Sequence, residues 1–142
     1  MQVPYTDPSN EGSLEGVFKT VLDKFMQNLD NRLPCIVLAV DRNKNRVKVK
    51  PLIRKLKTDG TTLERSQIVN VPIQNMSAGG FIINLPINVG DLGWLQSCDR
   101  DITLYKQTYK ETKPNTKRKH TFEDSIFIPD VTNHNRWNID NE

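Results

Sequence analysis

Two cysteines, two histidines and an aromatic content of 7% leave this 142-residue chain poor in the side chains on which most catalytic and metal chemistry depends. Cys35 and Cys98 each sit inside a strand-like segment with no Cys or His companion nearby, so neither a disulfide framework nor a zinc cluster is expected and both read as buried free thiols. His120 and His134 lie apart in loop-like sequence, which excludes a paired imidazole site built from neighbours. No apolar run approaches the roughly 18 residues needed to span a bilayer. The N-terminal MQVPYTDPSNEG has neither the basic flank nor the apolar segment of a secretory leader, and the chain is expected to begin in a cytoplasm. No internal repeat is visible.

What is present fits one domain. A chain of this length buries roughly 70% of its unfolded surface, enough for a core without staples, and 36% hydrophobic with 26% charged residues is ordinary for a soluble protein. Residues 1–12 carry two prolines and mostly polar side chains and read as an extended N-terminal arm. Over residues 13–31 Leu14, Val17, Phe18, Val21, Leu22, Phe25, Met26 and Leu29 recur at three and four, which predicts an amphipathic helix with Ser13 as N-cap and Glu15 near its positive end. The apolar period then changes to two. Residues 33–40 are too apolar to face water throughout and read as a central strand, whereas residues 46–50 alternate charged and apolar as a half-wet strand does. Asp59-Gly60 marks a hairpin. Further strands are predicted over 68–73, 81–85 and 92–98, with a short continuation at 102–105 and a last apolar piece at 126–128.

Five or six short strands with closely spaced turns predict a mainly β protein: a small five-stranded antiparallel OB-like barrel over residues 33–129, preceded by the amphipathic α-helix. Residues 106–124 read as a polar excursion from that barrel, and residues 130–142 as a C-terminal tail with Trp137 as its one large anchor.

The order of the pieces carries a resemblance. A helix leads into LPCIVLAVD; NVPI is followed by GGFIINLPINVGDLGWL; then come DRDI and RKHTFEDSIFIP. This series resembles the N-terminal OB-fold domain of the membrane-puncturing central spike family of contractile phage tail baseplates. Tyr105 stands where that family has tryptophan, and Asp130 follows Pro129 where glycine is common. The resemblance implies a virion structural protein, assembled in the host cytoplasm and located in the tail baseplate, that works as a homotrimer on the tail axis. Its upper face would dock on the tail hub protein and its lower face would carry the piercing tip, so that it meets a host membrane only through the assembled tail during contractile injection. Such spikes continue into a β-helical needle, and this sequence stops at Glu142; a separate spike tip protein docked under the barrel and a shortened chain are both left open.

Three constellations are candidates for function. The helix stripe, above all Leu14, Phe18, Leu22 and Phe25, either plugs one end of the barrel or forms the oligomer or hub interface. Residues 42–57 hold eight positive charges and no acid, and Arg46, Lys48 and Lys50, with Lys117, Arg118 and Lys119 of the run KPNTKRKH, form a candidate electrostatic contact surface for an acidic partner. OB modules that bind single-stranded nucleic acid combine such a positive face with stacking aromatics. That alternative function is disfavoured, with no specific nucleic acid expected, because residues 42–57 contain no Phe, Tyr or Trp and the net charge is only +3. Asp99, Arg100 and Asp101 read as turn caps and ion pairs, since two carboxylates without a nucleophile or pocket make no reaction centre. Neither enzymatic activity nor a cofactor is expected.

Overall fold

Alternation in the sequence becomes barrel wall. The computed structural model describes residues 13–130, so the expected N-terminal arm and the tail with His134 and Trp137 lie outside the described residues. The helix α1 (Leu14–Gln27) is followed by β1 (Arg32–Asp41), β2 (Arg46–Pro51), β3 (Lys55–Leu56), β4 (Thr62–Leu63), β5 (Ile68–Pro72), β6 (Met76–Ala78), β7 (Phe81–Ile83), β8 (Leu92–Cys98), a short helix α2 (Thr103–Thr108) and β9 (Thr121–Pro129). Five strands form an antiparallel sheet in the order β5-β2-β1-β8-β9. Its edges approach each other where Ile73 bridges Phe127 in parallel and the Gln74 amide donates to the Phe127 carbonyl at 2.9 Å. The sheet is thereby a nearly closed OB-like barrel, as expected, with β1 at its centre.

Curvature comes from register shifts, between Val37 and Ala39 of β1 against β2 and between Ser97 and Cys98 of β8 against β9, where an extra residue bends the strand. The inward series fills the barrel: Cys35, Val37, Val47, Val49, Val71, Leu95, Phe122 and Phe127 are buried, with Ile87 entering from the loop before β8. Gly93 has a steric task. A β-carbon there would lie 2.4 Å from the Phe127 ring and 2.6 Å from the Ile128 carbonyl oxygen, so the close β8–β9 approach needs a residue without a side chain. The Gly90-Asp91 turn docks on β1, with the Gly90 amide donating to the Val37 carbonyl at 2.8 Å and the Val37 amide donating to the Asp91 carbonyl at 2.9 Å.

Three expectations are corrected. Residues 81–85 do not form a barrel strand: β7 pairs only with β6, through a two-residue turn in which Gly79 (φ 59°) and Gly80 (φ 83°) both take positive φ, the geometry of a tight hairpin. The apolar run looked like wall because a protruding apolar hairpin and a buried strand share one composition. Residues 102–105 are not a strand continuation either, since α2 occupies that place. The polar excursion ends earlier than residue 124, because β9 starts at Thr121.

The helix α1 has the predicted cap, its Gly16 amide donating to Ser13 Oγ at 2.9 Å. It does not plug the barrel. Its stripe is exposed and makes no substantial contact with any strand, while the linker after it is tied down: the Asp30 amide donates to the His120 carbonyl at 2.9 Å, the Ser97 amide to the Asn31 carbonyl at 2.9 Å, and Arg65 pairs with Asp30 at 3.3 Å.

A polar knot holds the β8–β9 connection. Arg118 donates through Nε and Nη2 to Asp124 at 3.1 and 3.0 Å and through Nη1 to Glu123 at 2.8 Å, and Nη2 also lies 3.1 Å from Asp101. Asp101 is buried, and burial alone would raise the pKa of its carboxyl. The Thr103 and Thr116 hydroxyls, each donating at 2.6 Å, the Thr103 amide at 2.8 Å and the Arg118 charge outweigh that effect and hold it well below the usual carboxylate range.

Two outcomes are expected from these contacts. Gly93→Ala should lower the unfolding free energy by roughly 2–3 kcal/mol, since neither the buried ring nor the backbone can withdraw cheaply, as read from the denaturant midpoint. Arg118→Met should cost about 2–3 kcal/mol by stranding buried carboxylates, discounted for the partial exposure of the guanidinium. The Asp101 pKa is depressed on folding, so its stabilisation is complete above its unfolded value of about 4 and is lost as pH falls through the folded value. Thermal melts between pH 7 and pH 2 should therefore show an acid limb that flattens in Asp101→Asn.

Candidate functional site and interaction surfaces

Two protrusions flank the barrel. On α1 the apolar positions recur every three or four residues, and Leu14, Phe18, Leu22 and Phe25 all face solvent, Phe25 with 62% of its surface exposed. The β6–β7 hairpin presents Met76, Phe81, Ile82 and Ile83, with Phe81 at 82% exposure, and Leu85 and Val89 continue the patch along the following loop. Residues 66–90 contain no charged side chain, so this second surface is neutral as well as apolar. Large contiguous apolar patches are uncommon on monomeric soluble proteins, which makes these two surfaces candidate contact sites. The hairpin was missed in the sequence because it was assigned to the barrel; its Gly-Gly pair between the short segments MSA and FII is the signal that identifies it.

The basic candidates separate once placed. Arg118 turns inward and spends its donors on Asp101, Glu123 and Asp124. Lys50 pairs with Glu64. Arg46 donates from Nη2 to the Tyr109 hydroxyl at 2.9 Å. Lys117 and Lys119 remain exposed on the connection between β8 and β9.

The structure also brings in residues that sequence reasoning passed over. With Arg46 and Lys44 of the β1–β2 region, Asn70, Thr103, Lys106, Gln107 and Tyr109 line a cleft of about 350 Å³. Burial, reinforced by the nearby Arg46 charge, pushes the pKa of the Lys106 ammonium down. Tyr105 and Tyr109 meet edge to face with centroids 5.8 Å apart, so aromatic rings absent from residues 42–57 reach that basic face from α2. The YKQTYK spacing, with two tyrosines one helical turn apart, was the available signal, hidden by reading these residues as strand end and excursion.

Chemically, the two thiols are quiet. Burial pushes the Cys35 thiol up to about 12 and also raises that of Cys98, where Asp124 and Asp99 add to it, so neither is a thiolate near neutral pH. Both are free. Among the described residues no group of three His, Cys, Asp or Glu side chains is placed to hold a metal ion.

Comparison with known proteins agrees with the barrel. No curated protein matches the chain. The sequence model of the family described as phage protein Gp138 N-terminal domain matches residues 33–130, the span that begins in β1 and ends just after β9, and the chain therefore belongs to this phage protein family.

Proposed function

We propose that the protein is a structural component of the contractile tail baseplate, an OB-fold spike or spike adaptor that sits on the tail axis and joins the hub to a membrane-piercing tip. The observation that carries this reading is the pairing of a phage-family barrel with two uncovered apolar protrusions. A helix of 14 residues is marginal in water unless a tertiary or quaternary contact covers its apolar face, and the barrel does not cover the face of α1. A partner in trans is the direct remedy. The threefold copy number comes from the likeness to central spikes, which assemble around an axis; α1 supplies apolar surface between copies, and the neutral β6–β7 hairpin is suited to the hub or to the tip. In this role the protein makes and breaks no covalent bond. It is gripped at one end and transmits force when the sheath contracts.

The barrel closes its hydrogen bonds without α1, so the interface can be altered while the fold is kept. Light scattering at high protein concentration should give about 49 kDa, three times the 16.3 kDa chain. Phe18→Asp combined with Phe25→Asp should return the mass to that of one chain without changing the far-ultraviolet signature of the strands. A wild-type mass of 16.3 kDa refutes self-association outside the tail, and absence of the chain from purified virions refutes the baseplate role.

A further inference from the structure

We propose that the cleft between the β1–β2 turn, the middle of β5 and α2 is a binding site for a phosphate group. Lys44, Arg46 and Lys106 bring three positive charges to its walls from separate elements, and no carboxylate is among the lining residues. The acids nearest behind it, Asp101 and Asp124, are already engaged by Arg118. Like charges gathered in one cleft repel one another, and an anion between them relieves that repulsion.

The hydrogen-bond directions agree. The Tyr109 oxygen accepts from Arg46 Nη2 at 2.9 Å, which leaves the phenolic proton to donate elsewhere. Lys106 Nζ donates to the Asn70 carbonyl at 3.3 Å, which uses one of its three protons. The cleft volume of about 350 Å³ corresponds to roughly twelve waters at about 30 Å³ each, room for an anion as large as pyrophosphate. Donors that converge from several elements suit a tetrahedral polyanion; a carboxylate is matched by a single guanidinium fork.

Backbone conformation adds a further argument. Asn45, between two lining residues, and Asn70 and Tyr109 within the lining all have positive φ, at 56°, 56° and 55°. Asparagine tolerates this region, but tyrosine does so rarely. Tyr109 occupies the left-handed position that ends α2, where glycine is the usual residue. Glycine would relieve the strain and lose the phenol. Strained backbone of this kind clusters at ligand clamps.

The test is calorimetric titration of the full chain with sodium pyrophosphate at fixed ionic strength and pH. Saturable binding is expected, weakened at least tenfold by Lys106→Met and about threefold to fivefold by Tyr109→Phe, which keeps the ring and removes only the hydroxyl. Lys57→Met, on the distant β3–β4 hairpin, should bind as the wild type does. No saturable heat, or equal weakening in Lys57→Met and Lys106→Met, overturns the site in favour of general charge screening. If Lys106→Met fails to fold, Tyr109→Phe decides alone, and unchanged binding in it overturns the site. A twelve-nucleotide single strand that competes with pyrophosphate identifies the phosphate as part of a nucleic-acid backbone, whereas a strand that leaves the titration unchanged identifies a free phosphate compound.

Discussion

The Phe127 ring occupies the space where a Gly93 side chain would stand, and from that contact the rest of the barrel takes its dimensions. Because β8 carries no β-carbon at Gly93, β9 can lie close over it while keeping the register that pairs Leu95 with Phe127 and Gly93 with Pro129. The same phenylalanine bridges to Ile73 beyond β5, and its carbonyl accepts the Gln74 amide. One residue thus fills the core and closes the cylinder. An OB-like barrel has little interior, and beside Phe127 and Phe122 it is filled mostly by small and medium side chains: Cys35, Val37, Val47, Val49, Val71, Ile87 and Leu95.

A small interior has a consequence for the surface. Among the described residues nine hydrophobic side chains form the core, whereas twenty large hydrophobic side chains are exposed. Scattered apolar residues on a surface are ordinary, but more than half of these lie on α1 and on the β6–β7 hairpin, neither of which belongs to the five-stranded sheet. The core and the exposed apolar surface therefore lie on different parts of the chain. The barrel satisfies itself, and the protrusions are left to satisfy something else.

This division also explains which features were legible in the sequence. Period-two alternation identified β2, the continuous apolar run identified β1 as central, and Ser13 with the helical stripe identified α1, because in each case local chemistry and tertiary environment agree. The β6–β7 hairpin and α2 were misassigned where they diverge. Phe81, Ile82 and Ile83 are as apolar as a core strand but are exposed, and nothing local distinguishes an apolar side chain left on the surface from one that enters the interior. Residues 102–105 had strand-like composition but follow Asp101, whose carboxylate accepts from the Thr103 amide and hydroxyl and so starts a turn into helix. The basic run of residues 113–120 failed for a related reason. Charge alone does not say that Arg118 points inward while Lys119 stays in water; that depends on the burial of its partners Asp101 and Asp124.

Arg118 and Lys106 show what an OB-like scaffold gains from a charged connection between its last two strands. Arg118 pairs with Asp101, Asp124 and Glu123 at the base of the connection, and this ties down the segment in which Thr103 begins α2. With the base fixed, α2 can hold Lys106 and Tyr109 against Arg46 on β2, a strand whose other face is committed to the core through Val47 and Val49. The buried ion pairs therefore act on the surface indirectly. They make rigid a segment that would otherwise sample many positions, and a set of donors held in place loses less entropy on meeting an anion or an acidic neighbour than the same donors on a free loop. The basic strand and the polar excursion, which in sequence look like two separate solvated runs, become one preorganised face because an internal charge cluster sets the geometry between them.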